Sequence, residues 1–154
     1  MEIVENSLEV PIDEFLDRPL FCFLGTVSTA GDPRVSPLWY LWEAGAAWII
    51  ADTEQTYLDR VERHPAVALA VVDFSPRTGR VQHVGLRGRG SVEPFDPGRA
   101  RRLLARYLGA DRSAWDDRFE GLDPDRWRLL RIDPGTVVAR DQSFVPSLGV
   151  DDAA

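Results

Sequence analysis

Lysine is absent from this chain of 154 residues, because all 18 of its basic residues are arginine. A protein without lysine cannot form a Schiff base with a carbonyl compound, and it has no lysine ammonium group to hold a phosphate. The chain has a single cysteine, Cys22, so a disulfide framework is excluded. This cysteine usage favours a reducing compartment, and we expect the protein to be cytoplasmic.

The sequence also lacks the segments that direct a chain to or across a membrane. No apolar run approaches the roughly 18 residues that a membrane-spanning helix needs. The acidic N-terminus has no basic region followed by an apolar one, so we expect no secretory signal. A formal net charge of −7 argues against nucleic acid and anionic membranes as partners.

Motifs for metal binding and nucleophilic catalysis are missing as well. The two histidines, His64 and His83, and the one cysteine have no metal-ligand spacing, so we expect no metal site. The sequence shows no Ser-His-Asp pattern, no phosphate-binding loop and no paired carboxylates. Nucleophilic catalysis is therefore not expected.

What the chain does contain is a succession of short strands. From Leu20 to Asp73 the pattern reads strand, tight turn, strand, hairpin, strand, short helix, strand. The first three strands follow one another through short glycine-containing turns, which predicts an antiparallel meander. We expect one domain with its core at about 11–141 and a frayed tail after Pro146.

The remaining elements complete a mainly β pattern. The predicted strands are 21–28, 34–42, 47–51, 66–74, 81–92, 127–132 and 136–140. The predicted helices are a turn or two at 11–17, a helix ending at His64, and a helix from Asp96-Pro97 to Gly109. About six antiparallel strands with a few short peripheral helices predict a small closed or split β-barrel.

Two features offer contrasting interpretations. Asp52 or Thr53 is the predicted N-cap of the helix that ends at His64, with Gln55 at the capping-box position; Thr53 and Thr56 serve either as caps or as phosphate ligands. The second feature is the arginine-rich helix 97–108. Its arginines (Arg99, Arg101, Arg102 and Arg106) form either a solvated face or a patch for an anionic cofactor tail.

Several segments in this order resemble a known family. They are LGTVSTAGDPRVSPLWY, ERHPAVALAVVD, VGLRGRG, RARRLLARYLG and LLRIDPGTVVARD. The chain is identified as similar to the pyridoxamine 5′-phosphate oxidase-like, FMN-binding split β-barrel proteins, over roughly Leu20 to Asp141. The sequence of the first segment and the R-Y-L-G end of the helix resemble the flavin- and deazaflavin-dependent oxidoreductase branch of this family. The resemblance implies a six-stranded antiparallel split β-barrel that forms a homodimer, with cofactor sites at the subunit interface.

The resemblance also implies which residues bind the cofactor, FMN or a deazaflavin (coenzyme F-420). They are Ser36, Pro37, Leu38 and Trp39 on the second strand, Ala51, Asp52, Thr53, Gln55, Thr56 and Tyr57 around the helix start, and His83 on the glycine-rich strand. Ser36 stands where the oxidase has an arginine, and Thr56 and Tyr57 stand where it has an arginine-lysine pair. Arg34 and Arg60 are the candidates to replace the missing charges if they point inward.

The expected function is hydride transfer between a flavin or deazaflavin and a small conjugated substrate. His83 is the candidate catalytic residue, and its alternative is a surface or interface histidine. Two other functions stay open. One is a non-catalytic flavin or haem carrier or sensor, in which a single histidine would bind haem, a cofactor less favoured than a flavin. The other is a dimeric scaffold that has lost its cofactor.

Overall fold

The computed structural model describes residues 1–147. Its strands are β1 (Glu2–Asn6), β2 (Cys22–Val27), β3 (Pro33–Leu38), β4 (Leu41–Glu43), β5 (Ala46–Asp52), β6 (Ala66–Ser75), β7 (Arg80–Pro94) and β8 (Trp127–Asp141). Its helices are α1 (Ile12–Leu16), α2 (Thr56–Arg63) and α3 (Pro97–Leu108), followed by two 3-10 turns (Arg112–Ala114 and Asp117–Phe119).

All eight strands belong to one strongly curved sheet. The order is β3-β2-β6-β7-β8-β5-β4, with antiparallel neighbours throughout, and β1 pairs in parallel with the C-terminal half of β8. The predicted mainly β antiparallel fold is confirmed, but with eight strands instead of about six. Strand β1 was not predicted, and residues 127–141 form one strand where two were predicted.

The predicted meander is wrong at one place. The predicted strand 34–42 is interrupted at Trp39 and Tyr40, so β3 and β4 lie at opposite ends of the strand order and β3 does not pair with β5. The cause is α3: Trp39 stacks on Tyr107, with 4.6 Å between the ring centroids and 2° between their planes. The backbone N–H of Tyr40 donates to the Tyr107 hydroxyl (3.1 Å) instead of to a strand.

The long strands β7 and β8 remain paired because one glycine permits a close approach. The register shifts between Arg87 and Gly88, and a Cβ at Gly88 would lie 2.0 Å from the carbonyl oxygen of Asp133. Backbone atoms cannot yield to such a contact, so only glycine fits here. Asp133, Pro134 and Gly135, which were predicted to form a turn between two strands, instead form a bulge within β8.

Two apolar clusters flank β5, whose side chains alternate between them. Ala47, Ile49 and Ala51 face the barrel interior, which α2 also covers with Leu58. Ala46 and Trp48 instead pack with Leu103 and Leu104 of α3. Because both faces of β5 are buried, this strand is rigidly held, and α2 follows it at a defined position.

Candidate functional site

The start of α2 carries a cluster of one guanidinium and two hydroxyls. The Arg60 Nε–H donates to the Thr26 Oγ1 (2.8 Å), and Arg60 Nη1 donates to the Thr56 Oγ1 (3.0 Å). Thr56 and Arg60 meet because residues four apart lie on the same side of a helix. Thr26 belongs to β2 and is only 2% exposed, so it fixes the guanidinium against the barrel. We call Thr26, Thr56 and Arg60 the α2 cluster.

Arg34 lies on the strand next to this cluster. It is paired with Thr26 across β2 and β3, and directly paired residues of an antiparallel sheet point to the same face. Its guanidinium is half exposed, donates to the Pro33 carbonyl (3.0 Å) and lies 3.8 Å from Asp32. Arg34 therefore lies on the same face as the α2 cluster without being bound to it.

The predicted capping of α2 is wrong. The N-cap is Gln55, not Asp52 or Thr53, and it makes no side-chain cap bond. The Asp52 carboxylate instead accepts hydrogen bonds from Arg126 Nε (2.7 Å) and from the Glu54 backbone N–H (3.0 Å). Arg126 is remote from Asp52 in sequence. These donors hold the pKa of Asp52 below its usual range. The Asp52 carboxylate is thus paired with Arg126, whereas the exposed carboxylates of Glu54 and Asp59 keep negative charge near the start of α2.

The other residues predicted around this helix fall into two groups. Thr53, Gln55 and Thr56 are exposed to solvent at the start of α2. Ala51 and Tyr57 are buried in the barrel core, and burial raises the pKa of Tyr57 to about 12. Whether any of them touches a cofactor stays a prediction.

An apolar groove of about 540 Å³ lies beside the junction of β3, β5 and α3. Its lining consists of Phe21, Pro37, Leu38, Trp39, Ile49, Ile50, Leu103, Leu104, Arg118, Phe119, Leu122 and Trp127. We call it the aromatic groove. Arg34, Ser36 and Leu38 lie on one face of β3, because side chains alternate along a strand. This face is the one that the α2 cluster shares, and its Leu38 end reaches the groove. Three predicted residues (Pro37, Leu38 and Trp39) therefore line this groove.

His83 lies elsewhere. It is on the outer face of the sheet, where it lines a furrow of about 470 Å³ with small residues such as Gly25, Ala70 and Gly85. Thr26 points into the barrel, so the sheet itself separates His83 from the α2 cluster. The neighbours of His83 across the strands are Val72 and Arg140. The structure thus does not bring this residue together with the other predicted site residues.

Arg99, Arg102 and Arg106 of α3 make specific contacts, while Arg101 and Arg102 remain exposed to solvent. Arg99 and Arg102 both bind the Glu43 carboxylate, at 2.7 and 2.8 Å from their Nε atoms, and Arg99 lies 3.7 Å over the Trp48 ring. Arg106 donates to the Tyr40 carbonyl (3.3 Å). These contacts fasten α3 to β4 and β5. Neither predicted interpretation of Arg99, Arg102 and Arg106 describes this role, because Glu43 is remote from them in sequence.

Sequence reasoning missed Thr26 and nine of the twelve described residues that line the aromatic groove. Thr26 was a possible inference, since alternation along β2 puts it on the inner face with Leu24. Arg118 and Phe119 follow α3 in an irregular stretch, and Trp127 begins β8. Only tertiary packing brings these three residues to the groove.

Mainly β architecture, a short helix following a buried strand and a groove beside them define a split-barrel protein. The model of the pyridoxamine 5′-phosphate oxidase family matches residues 8–140, and the chain belongs to this family. None of the curated proteins matches the sequence. No helix within residues 1–147 is long and apolar enough to cross a membrane. Within the same residues, no group of three or more potential ligands is placed to hold a metal ion.

Solved structures show the same fold at low sequence identity. A conserved hypothetical protein from Mycobacterium tuberculosis is 17% identical with a TM-score of 0.72, covering 92% of this chain and 89% of that one. An F-420 reductase is 24% identical (TM-score 0.63), covering 84% and 98%. A FAD-binding protein from Mesorhizobium loti is 19% identical (TM-score 0.61), covering 84% and 91%. At these identities the likeness concerns the fold.

Proposed function

We propose that this protein is a flavin- or deazaflavin-dependent oxidoreductase, a cytoplasmic homodimer that transfers hydride to or from a small conjugated substrate. The observation that carries the proposal is that two strands, β3 and β5, each run between the aromatic groove and the surroundings of the α2 cluster. A flavin nucleotide has a charged phosphate at one end and a flat apolar ring at the other. The two neighbouring sites offer the chemistry that each end needs.

The phosphate end fits the α2 cluster. Arg60 supplies a guanidinium there, Thr56 a hydroxyl, and the start of α2 supplies backbone N–H groups with the positive end of the helix dipole. Charge-assisted hydrogen bonds to phosphate are among the stronger ones in proteins. Arg60 thus brings a charge back to the helix start from one turn further on, where relatives place an arginine-lysine pair. Arg34, which pairs with Thr26 across β2 and β3, is the candidate for a second charge.

The ring end fits the aromatic groove. Its volume of about 540 Å³ and its mainly apolar lining are typical of a cofactor or small-molecule site. Two segments lead from the α2 cluster to the groove: β3 from Arg34 to Leu38, and β5 from Ile50 through Asp52 to α2. The cofactor ring supplies the redox chemistry when bound, and the protein binds, orients and keeps water out.

The choice among cofactors follows from the lining. Arginine and hydroxyl donors suit the phosphate of FMN or of coenzyme F-420, and similar folds include an F-420 reductase and a FAD-binding protein. Haem is the less favoured cofactor, since no histidine is among the described residues that line the groove. His83, the candidate axial ligand, lies on the opposite face of the sheet.

A homodimer would cover the outer face of the sheet. This face carries exposed apolar side chains of Val4, Phe23, Val35, Val72 and Phe74, of which Val35 is 69% exposed. A contiguous apolar surface of this kind marks an interaction site. We propose that a second copy of the chain covers it.

The α2 cluster is tested by titrating the purified protein with FMN and with riboflavin, which lacks the phosphate. We expect FMN to bind about tenfold or more tightly than riboflavin, because a bond to a charged group contributes about 1.5–3 kcal/mol. Arg60→Gln should remove most of that preference. Arg63→Gln, an exposed arginine one turn further along α2, is the matched control and should leave it unchanged. Coenzyme F-420 is titrated in the same way against its form without the phosphate and its tail.

Each outcome separates the alternatives. A chain that binds neither FMN nor coenzyme F-420 is a scaffold without cofactor, and the proposal fails. A preference for FMN that survives in Arg60→Gln overturns the role of the α2 cluster. A bound flavin that no electron donor reduces supports the carrier or sensor, and a flavin that is reduced and reoxidised by a substrate supports the oxidoreductase.

A further inference from the structure

The polar groups on the side chains that line the aromatic groove share one hydrogen-bonding character. Apart from apolar atoms, these side chains carry one guanidinium, that of Arg118, and the indole N–H groups of Trp39 and Trp127. All of these are hydrogen-bond donors, and no acidic side chain is among the described lining residues. A ligand with an anionic acceptor group therefore complements the groove, whereas a cationic ligand does not.

Arg118 is held loosely enough to serve this purpose. Its Nε lies 3.6 Å from the Asp116 carboxylate, the two side chains are 74% and 60% exposed, and exposed pairs of this length contribute little. That same Asp116 oxygen already accepts from the Arg118 backbone N–H (3.0 Å). The guanidinium lies 4.8 Å from the centre of the Phe119 ring, which is itself part of the groove wall.

Other arginines around this part of the molecule are engaged. Glu43 binds Arg99 and Arg102, Glu120 binds Arg112 (2.9 Å), and Asp52 binds Arg126. Arg118 is therefore the cation that the groove itself offers to a ligand.

The position of Arg118 assigns it to the substrate and not to the cofactor phosphate. Trp127 pairs with Asp52, so the Trp127 end of the groove adjoins the start of α2. Arg118 and Phe119 instead belong to the 3-10 turn Asp117–Phe119, which contributes to the groove together with Leu103 and Leu104 of α3. The two kinds of cation thus come from different elements of the fold.

We propose that the aromatic groove, at its Arg118 end and beside the cofactor ring, binds a flat aromatic or conjugated substrate carrying a carboxylate, and that Arg118 is the residue that selects for this negative charge. The inference rests on the proposed function, in which the cofactor ring occupies the Trp127 end of the same groove. The Phe119 ring beside Arg118 would contact the ring of the substrate, and the Arg118 guanidinium would pair with both carboxylate oxygens.

The test uses two probes of the same shape, 2-naphthoate and its neutral analogue 2-naphthamide. Binding to the cofactor-free full chain is measured by quenching of tryptophan fluorescence, because two tryptophans line the groove. We expect naphthoate to bind about five- to tenfold more tightly than naphthamide. In Arg118→Gln the two probes should bind equally, with the affinity for naphthamide unchanged. Arg118→Lys should keep part of the preference, since it retains the charge without the fork.

Arg89→Gln is the matched control, because Arg89 is an exposed arginine on β7 outside the groove. It should leave both affinities as in the unaltered chain. Equal binding of the two probes to the unaltered chain, or no binding of either, overturns the proposal. An equal loss of both probes in Arg118→Gln overturns it too, since that result means a structural role. The probe test needs no cofactor, so its failure is distinguishable from a failure of the FMN titration.

Discussion

At the scale of single residues, the most informative side chain is Arg60. It stands one helical turn after the position where relatives place a basic pair, and its contacts with Thr26 and Thr56 return its charge to the helix start. A chain with no lysine can make this substitution because the arginine side chain is long and its guanidinium has several donors. A positive charge can therefore reach the start of α2 from a residue one turn further along the helix.

Asp52 provides a prediction about pH. The Arg126 guanidinium and the Glu54 backbone N–H lower its pKa, so the ionised carboxylate stabilises the folded state. This contribution is fully present above the pKa of an unfolded aspartate, about 3.9, and is lost as the pH falls through the lower folded value. Asp52→Asn should therefore lower the melting temperature at pH 7, and the difference from the unaltered chain should shrink at pH 3.

Circular dichroism at pH 7, 5 and 3 measures the two melting temperatures. Asp59→Asn, which alters an exposed carboxylate on α2 with no ion pair among the described residues, should change little at any of them. A difference in melting temperature between Asp52→Asn and the unaltered chain that stays constant from pH 7 to pH 3 would contradict this interpretation.

At the scale of elements, the decisive feature is the interruption between β3 and β4. Trp39 leaves the sheet to stack on Tyr107, whose hydroxyl donates to the Leu20 carbonyl (2.7 Å) and accepts from the Tyr40 N–H. Helix α3 thus opens the barrel at the point where Pro37, Leu38 and Trp39 become the wall of the aromatic groove. The groove exists because a strand that the sequence presents as continuous is divided.

The pairing of β7 with β8 gives the second prediction. In Gly88→Ala the new methyl group would meet the Asp133 carbonyl oxygen at 2.0 Å and the Pro134 Cα at 2.9 Å. Backbone atoms must shift to relieve these contacts, so we expect the free energy of unfolding to fall by about 1–3 kcal/mol. Urea denaturation measures this change.

Gly85→Ala on the same strand is the control. There the nearest atom to a new Cβ is the Val138 carbonyl oxygen at 3.9 Å, an ordinary contact, so the free energy of unfolding should change by less than about 0.5 kcal/mol. Equal losses for the two variants would show that the close approach at Gly88 is not what matters.

At the scale of the whole molecule, the outer face of the sheet predicts the assembly. A furrow of small residues crosses this face, with Ala70 and Gly85 directly paired at its centre. Ala70→Arg would place a long charged side chain in the furrow, beside Arg87 and Arg140. Because the face is outward, the variant should fold, yet a second copy could no longer approach.

We expect light scattering to show a dimer for the unaltered chain and a monomer for Ala70→Arg. Ala66→Arg, an exposed alanine at the start of the same strand and outside the furrow, should remain dimeric. A monomeric unaltered chain would contradict the proposed homodimer, and a dimeric Ala70→Arg would place the subunit contact elsewhere.

The sequence by itself determined most of the elements, because their signals are local. Alternation in β2, the apolar run of β6, Pro65 after α2 and the Asp96-Pro97 start of α3 each act within a few residues, and the structure confirms those elements. The proximity of Thr56 and Arg60 is equally local, since it follows from helical geometry.

Only the tertiary structure decided what surrounds them. It brought Thr26 to Arg60, Arg126 to Asp52 and Tyr107 to Tyr40, three contacts between residues at least 34 positions apart in the chain. It also placed Arg118 at the groove and His83 behind the sheet. Each of these outcomes depends on which strands pair and on where α3 packs. The free energy of strand pairing and helix packing is a sum over contacts along the whole chain, so a short window of sequence does not predict it.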